Sequence, residues 1–157
     1  MDQPDSAQSK PSAGSLTIRG ECQYLSLIRK AVTDLANTVG FSSDDIAAIE
    51  MAVGEAAENI LEHAYAQPSR EWQSQCDPEI HLNIRVEDSR LIVELTDHGQ
   101  KFDFTNYRPP HSHDSVSAGR TGGYGIFIMR EFMDEVQYTS SDETGNTLRL
   151  VKYLKKS

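Results

Sequence analysis

Glu55-Ala56-Ala57-Glu58-Asn59, with His63-Ala64-Tyr65 just beyond it, is the stretch on which the reading of this chain turns. Two later stretches give it meaning. They are Asp97-His98-Gly99-Gln100-Lys101-Phe102-Asp103 and Gly122-Gly123-Tyr124-Gly125, the second opening the apolar run Ile126-Phe127-Ile128-Met129. Each is weak alone, since Glu and Asn four apart occur on many solvated helices and Asp-x-Gly or Gly-Gly-x-Gly more often marks a turn. Their order is informative. An amide on a helix, an acidic residue closing a strand and glycines opening a second helix are what a nucleoside triphosphate with magnesium needs.

Working outward, Ser42 or Ser43 caps the helix that carries the first stretch, and Asp44 and Asp45 complement its dipole. Ile46, Ile49, Val53, Ala57 and Ile60 form its apolar stripe, so it is predicted to run to about Tyr65. Glu55 and Asn59 then share the opposite side or flank, beside Ala48 and Ala52. Small neighbours leave room for a ligand, although the helix alone is equally an ordinary exposed face.

Before this helix, Ser15 to Arg19 alternates like a half-buried strand, and Tyr24 to Val39 repeats apolar residues at helical spacing, with Gly40 where a C-terminal cap belongs. After it, residues 67 to 78 read as a loop. His81 to Val86 and Leu91 to Leu95 read as strands of a hairpin around Asp88-Ser89. Phe104 to Thr121 has no periodicity and contains Pro109-Pro110, a length more typical of a lid than of an idle connection. Ile126 to Met133 reads as a helix; Val136 to Thr139 and Thr147 to Tyr153 read as strands joined through Asp142-Glu143-Thr144-Gly145-Asn146.

The 157 residues suit one domain with a sizeable core: a disordered tail over 1–14, then a folded unit over 15–157 with a lid at about 104–121. A net charge of −9 argues against direct nucleic-acid binding and keeps the protein soluble, or suits a basic protein partner. Cys22 and Cys76 show no metal-type spacing, and the polar N-terminus resembles neither a signal peptide nor a membrane anchor. A cytoplasmic protein with no membrane association is expected. His111 and His113 lack a third ligand nearby and receive no role; His63 is read as structural.

Asp97 follows an apolar strand, where its carboxylate could accept from the amino group of a base, and Gly99 would let the backbone approach a flat ring. A strand ending in a turn rich in Asp and Gly has the same appearance. Gly122, Gly123 and Gly125 would expose N–H groups at a helix N-terminus to phosphate oxygens; a flexible linker is the plainer alternative.

Taken together, the three stretches, with Met133-Asp134-Glu135-Val136, resemble the N box and two glycine boxes of the anti-sigma-factor serine kinases of the histidine-kinase-like (GHKL) ATPase superfamily. The resemblance extends from about Leu16 to Leu154. It implies an α+β two-layer sandwich: a mixed, mostly antiparallel sheet with helices on one face and ATP held between a helix and the lid. It also implies that Asn59 helps to hold magnesium and that Glu55 is the general base preparing a partner's serine. Asp97 falls on the adenine amino group, Gly99 against the base, and Gly122, Gly123 and Gly125 beside the phosphates. Arg120, one position from the simplest alignment, falls toward the terminal phosphate.

The resemblance therefore implies a serine/threonine-protein kinase and anti-sigma factor that uses ATP and Mg2+. Its partners would be a STAS-type antagonist, as phosphorylation substrate, and an RNA polymerase sigma factor, and a homodimer would be compatible with it. The alternative is a partner-switching module that holds ATP but transfers little or no phosphate; the presence of Glu55 counts against it. A histidine kinase would need a dimerisation helix pair that the N-terminal region is too short to supply. A larger ATP-driven clamp would need a further domain.

Overall fold

A computed structural model describes residues 13–19, 25–64, 79–104 and 124–156. Strand β1, Ala13–Arg19, is followed by helices α1, Leu25–Val39, and α2, Ser43–Asn59. A π-helical turn, Ile60–Ala64, extends α2. Strands β2, Glu79–Glu87, and β3, Arg90–Asp97, precede helix α3, Tyr124–Phe132. Strands β4, Glu135–Ser141, and β5, Gly145–Tyr153, complete the sheet.

The sheet has five strands in the order β1-β2-β3-β5-β4, and each pairing is antiparallel. The α+β sandwich expected from the sequence is therefore present, with no parallel pair among the described residues where a mixed sheet was expected. Antiparallel neighbours can be joined by tight connections, and short turns join two of the four pairs, β2 to β3 and β4 to β5. Asp88 and Ser89 both take positive φ, 49° and 61°, the conformation of a two-residue turn whose twist matches its flanking strands.

Local signals fixed the helix ends. The Ser42 side chain accepts from the Asp45 N–H at 3.1 Å, capping α2. At the end of α1, Gly40 takes φ 101°, with Gly40 N–H donating to the Asn37 carbonyl at 3.2 Å and Phe41 N–H to the Ala36 carbonyl at 3.1 Å. This is the Schellman closure that glycine permits without strain. Strand β1 starts at Ala13, two residues before its alternation suggests, because its pairing to Arg85 and Ile84 uses only backbone groups. Residues 1–12 and most of the expected lid, 105–121, lie outside the described residues.

One sheet face carries the helices. Ile28, Val32 and Ala36 of α1, Ile49, Val53 and Ala56 of α2, and Ile126 and Met129 of α3 pack with Ile80, Leu82, Leu91, Val93, Leu95 and Leu150. The opposite face buries Ile92 and Val151 side by side and is otherwise mostly polar, with Arg85 donating to Glu94 at 2.6 Å across β2 and β3. No described helix is long and apolar enough to cross a membrane.

Lys152 points into the helix-bearing side, only 8% exposed. Its ammonium donates to the Phe132 carbonyl, the last residue of α3, at 2.6 Å and lies 3.7 Å from Asp45 at the start of α2. A cation suits a helix C-terminus, and here it joins the distal ends of two helices to the sheet. Lys152→Ala leaves a carbonyl and a carboxylate without this partner; urea denaturation is expected to show a loss of roughly 2–4 kcal/mol. A loss below about 0.5 kcal/mol, the range of ordinary surface substitutions, would mean that the lysine is not a tie.

Candidate functional site

The side chains that matter fall into two clusters. In the first, Glu55 and Asn59 occupy the last turns of α2, both half-buried, and the backbone of α3 comes down upon them. A Cβ built on Gly125 would stand 2.8 Å from Asn59 Nδ2, 3.1 Å from Glu55 Oε2 and 3.2 Å from Asn59 Oδ1. Such separations are too short for a methyl group unless the ends of the Asn59 and Glu55 side chains turn aside, so glycine lets α3 rest here without displacing them. Gly125 is the second residue of α3, which begins two residues earlier than its apolar run suggests. Its place inside the first turn sets the positive end of the helix dipole beside a carboxylate and an amide.

Helix α2 keeps α-helical geometry only as far as Asn59 and then widens into the π turn, where a continuous helix to about Tyr65 was predicted. Single π turns within helices concentrate at functional sites. Glu55's carboxyl is pushed above its ordinary value, chiefly by burial and then by the charge of Glu58, against the opposing charge of Arg29. Arg29 crosses Gly54 from α1 and pairs with Glu58 at 2.6 Å. A carboxylate held partly out of water and raised in proton affinity is better suited to accepting a proton than a solvated one.

The second cluster lies at the end of β3. Alternation ends the predicted strand at Leu95, but pairing continues to Asp97 opposite Asn146, so Asp97 is the last strand residue and only 4% exposed. Its Oδ1 accepts from the Gly99 N–H at 2.8 Å and from Asn146 Nδ2 at 3.0 Å. Burial pushes its carboxyl upward, while the bonds from Asn146 and Gly99, and nearby His98, pull it back. The Gly99 N–H thus closes the turn on Asp97 and is engaged within the protein.

Sequence reasoning assigned Gly145 and Asn146 only to a turn. Gly145 has φ 81°, and a Cβ there would collide with the Asp97 carbonyl and approach His98 Nδ1 to 2.7 Å. A side chain at this position would displace the Asp97 loop. Asn146 bridges the same loop. The available signal was Thr144-Gly145-Asn146 itself, whose turn chemistry says nothing of the strand end lying 49 residues away. Beyond Gly99, the Phe102 N–H donates to the Tyr138 hydroxyl at 3.0 Å, and the Phe104 ring stacks on Tyr138 beneath the Arg130 guanidinium. This segment is therefore held by β4 and α3.

Of the expected site residues, Glu55, Asn59 and Gly125 come together, and Asp97 and Gly99 come together. Arg120, Gly122 and Gly123 lie outside the described residues. Among the described residues no three His, Cys, Asp or Glu side chains are grouped to hold a metal ion. Magnesium bound with a nucleotide needs no such cage, since it keeps waters and phosphate oxygens and takes one or two protein oxygens. The Asn59 amide oxygen beneath the first turn of α3 fits that demand.

One cluster offers helix N–H groups, an amide and a carboxylate; the other offers a buried acceptor at a strand end. The chain belongs to the family of the histidine kinase-like ATPase domain, whose pattern matches residues 18–152 and so spans both clusters. ATP is the nucleotide this family membership implies.

Within that class the chain is RsbW-like. It is 31% identical to Serine-protein kinase RsbW of Staphylococcus epidermidis over 153 residues, 95% of this chain and 91% of that protein. To the protein of the same name in Bacillus velezensis (strain DSM 23117 / BGSC 10A6 / LMG 26770 / FZB42) it is 32% identical, covering 88% and 84%. The fold also matches the solved RsbU and RsbW domains of Rv1364c from Mycobacterium tuberculosis, with TM-score 0.60 and 18% identity over 92% of this chain and 33% of that one. A second fold match is the SiaB-SiaC complex from Pseudomonas aeruginosa, with TM-score 0.53 and 12% identity over 87% of each chain.

Proposed function

We propose that this protein is a serine/threonine-protein kinase and anti-sigma factor that transfers the terminal phosphoryl group of Mg-ATP to a serine of a STAS-type antagonist. It alternates between that antagonist and an RNA polymerase sigma factor, in the cytoplasm. The observation that carries the reading is the closure of Gly125 on Glu55 and Asn59, which sets a carboxylate beside a helix N-terminus suited to phosphate. The name carried by its relatives, serine-protein kinase, supports the same chemistry.

In this reading Asp97 accepts from the adenine amino group, with the Gly99 segment against the base, and the first turn of α3 donates to phosphate oxygens. Gly122, Gly123 and Arg120 extend that phosphate contact. Magnesium, when bound, neutralises charge on the transferring group. Glu55 accepts the proton of the serine hydroxyl as the serine oxygen bonds to phosphorus and the bond to the bridging oxygen of ADP breaks. Asn59 lends its amide oxygen to the metal and, through the packing of Gly125, keeps α2 and α3 in register.

The test is transfer of labelled phosphate from Mg-ATP to proteins that co-purify with the chain, comparing wild type with Asn59→Ala. Wild type is expected to give phosphoserine, and Asn59→Ala to lower the yield on the order of a hundredfold. ATP binding without any labelled partner would favour a nucleotide-gated binding module instead. Absence of ATP binding would remove the nucleotide reading altogether.

A further inference from the structure

Asn146 is the second residue of β5 and only 3% exposed. Its Nδ2 donates to Asp97 Oδ1 and to the Gly99 carbonyl, each at 3.0 Å, with a longer contact to the Gln100 carbonyl at 3.5 Å. Its Oδ1 accepts from the Ser140 hydroxyl at 2.7 Å. A side-chain amide has two N–H hydrogens, and here both are engaged, while Ser140 determines which end of the amide faces Asp97. With the Gly99 N–H also on Asp97 Oδ1 at 2.8 Å, that carboxylate oxygen carries two donors. Asp97 Oδ2 carries neither of them.

We propose that Asn146 is a positioning residue for base selection: it holds Asp97 so that Oδ2 faces the nucleotide as an acceptor, admitting a purine with an amino group at position six and rejecting one with a carbonyl there. The inference rests on the assignment of Asp97 to the base under the proposed function and adds the group that controls it. Rotating the Asp97 carboxylate would break the bonds from both Asn146 and Gly99. Donors on a carboxylate favour its ionised form, and an ionised carboxylate can only accept. Burial acts the other way, toward a protonated acid that could donate to a carbonyl, and Asn146 is the largest influence opposing it. A purine carbonyl would then meet an acceptor with nothing to share, the arrangement that gives polar sites their discrimination.

Calorimetric titration of the full chain with ATP and with inosine triphosphate, which has a carbonyl in place of the amino group at position six and a hydrogen on N1, tests this. Wild type is expected to prefer ATP by about a hundredfold or more. In Asn146→Asp, two adjacent carboxylates would share a proton, so ATP affinity is expected to fall about thirtyfold. Inosine triphosphate affinity is expected to change little, so the preference narrows to less than about tenfold. Asn146→Ser is expected to narrow it in the same sense.

A residue that merely supported the fold would weaken both nucleotides alike, so an unchanged ratio overturns the proposal. Ser140→Ala lies at an exposed strand position and removes only the hydroxyl that orients the amide; it is expected to narrow the preference about threefold. If the Asn146 variants do not fold, an unchanged ratio in Ser140→Ala overturns the proposal in their place. Failure of wild type to bind ATP is a separate outcome, which would instead remove the nucleotide reading beneath it.

Discussion

Glu55→Gln is expected to lower phosphotransfer about 10²–10⁴-fold, the usual contribution of a positioned general base, while leaving ATP affinity within about threefold. Glutamine keeps the length and the contact with Gly125 but cannot accept the serine proton. Single-turnover transfer with saturating ATP separates this from a binding defect. The acid limb of the wild-type rate should lie above the ordinary carboxylate range, because burial and Glu58 raise Glu55's proton affinity. A variant that retains more than about a third of the wild-type rate would remove Glu55 from the role of base.

The same residue makes a stability prediction of opposite sign. Because its folded-state pKa is raised above the value of 4.5, the native protein binds a proton there more tightly than the unfolded chain does. Its contribution to stability is therefore present at low pH and lost as pH rises through the folded value. At neutral pH the ionised group opposes folding, and Glu55→Gln is expected to raise the midpoint of thermal unfolding slightly. Lost activity with unreduced stability is the pattern of a site held against its own preference.

Gly125→Ala is expected to reduce ATP affinity by about thirtyfold or more with little change in stability. Helix propensity alone favours alanine by about 1 kcal/mol, but the added methyl would lie 2.8 Å from Asn59 Nδ2 and 3.1 Å from Glu55 Oε2. Overpacking of this kind costs about 1–3 kcal/mol, so the two effects nearly offset each other in the fold. They do not offset in the site, since relief comes only by turning Asn59 and Glu55 away or by lifting the first turn of α3. Calorimetry of ATP binding beside chemical denaturation measures both quantities. Unaltered affinity would show that the contact between α2 and α3 is packing with no consequence for the nucleotide.

Wherever a residue's role depends on its sequence neighbours, the sequence was a sufficient guide. Ser42 caps α2 through a residue three positions away, Gly40 closes α1 on a turn formed by its own chain, and Asp88-Ser89 adopts the turn that its flanking strands require. Periodicity located each helix, since a stripe at helical spacing is buried whatever it meets. The candidates Glu55 and Asn59 were legible for the same reason, four positions apart on one helix.

Boundaries and partners were less legible. Nothing in Thr96-Asp97 alternates strongly enough to mark a strand, yet β5 pairs with β3 as far as Asn146, and that pairing buries Asp97. The first turn of α3 includes Gly125, a poor helix former, and a side chain there would push the ends of Asn59 and Glu55 aside. Lys152 reads as one charge among the fifteen lysines and arginines, and only the arrival of α2 and α3 over β5 gives it a carbonyl and Asp45 to hold.

By itself, then, the sequence determined the α+β class, the helices and their caps, and the residue types of a nucleotide site, because local backbone preference and burial periodicity are properties of neighbouring residues. Tertiary structure alone decided that Gly125 rests on Glu55 and Asn59, and that Asn146 and Gly145 govern Asp97. Those relations join residues tens of positions apart, and their energies arise from close contact and shared hydrogen bonds that exist only once the sheet and its helices have come together.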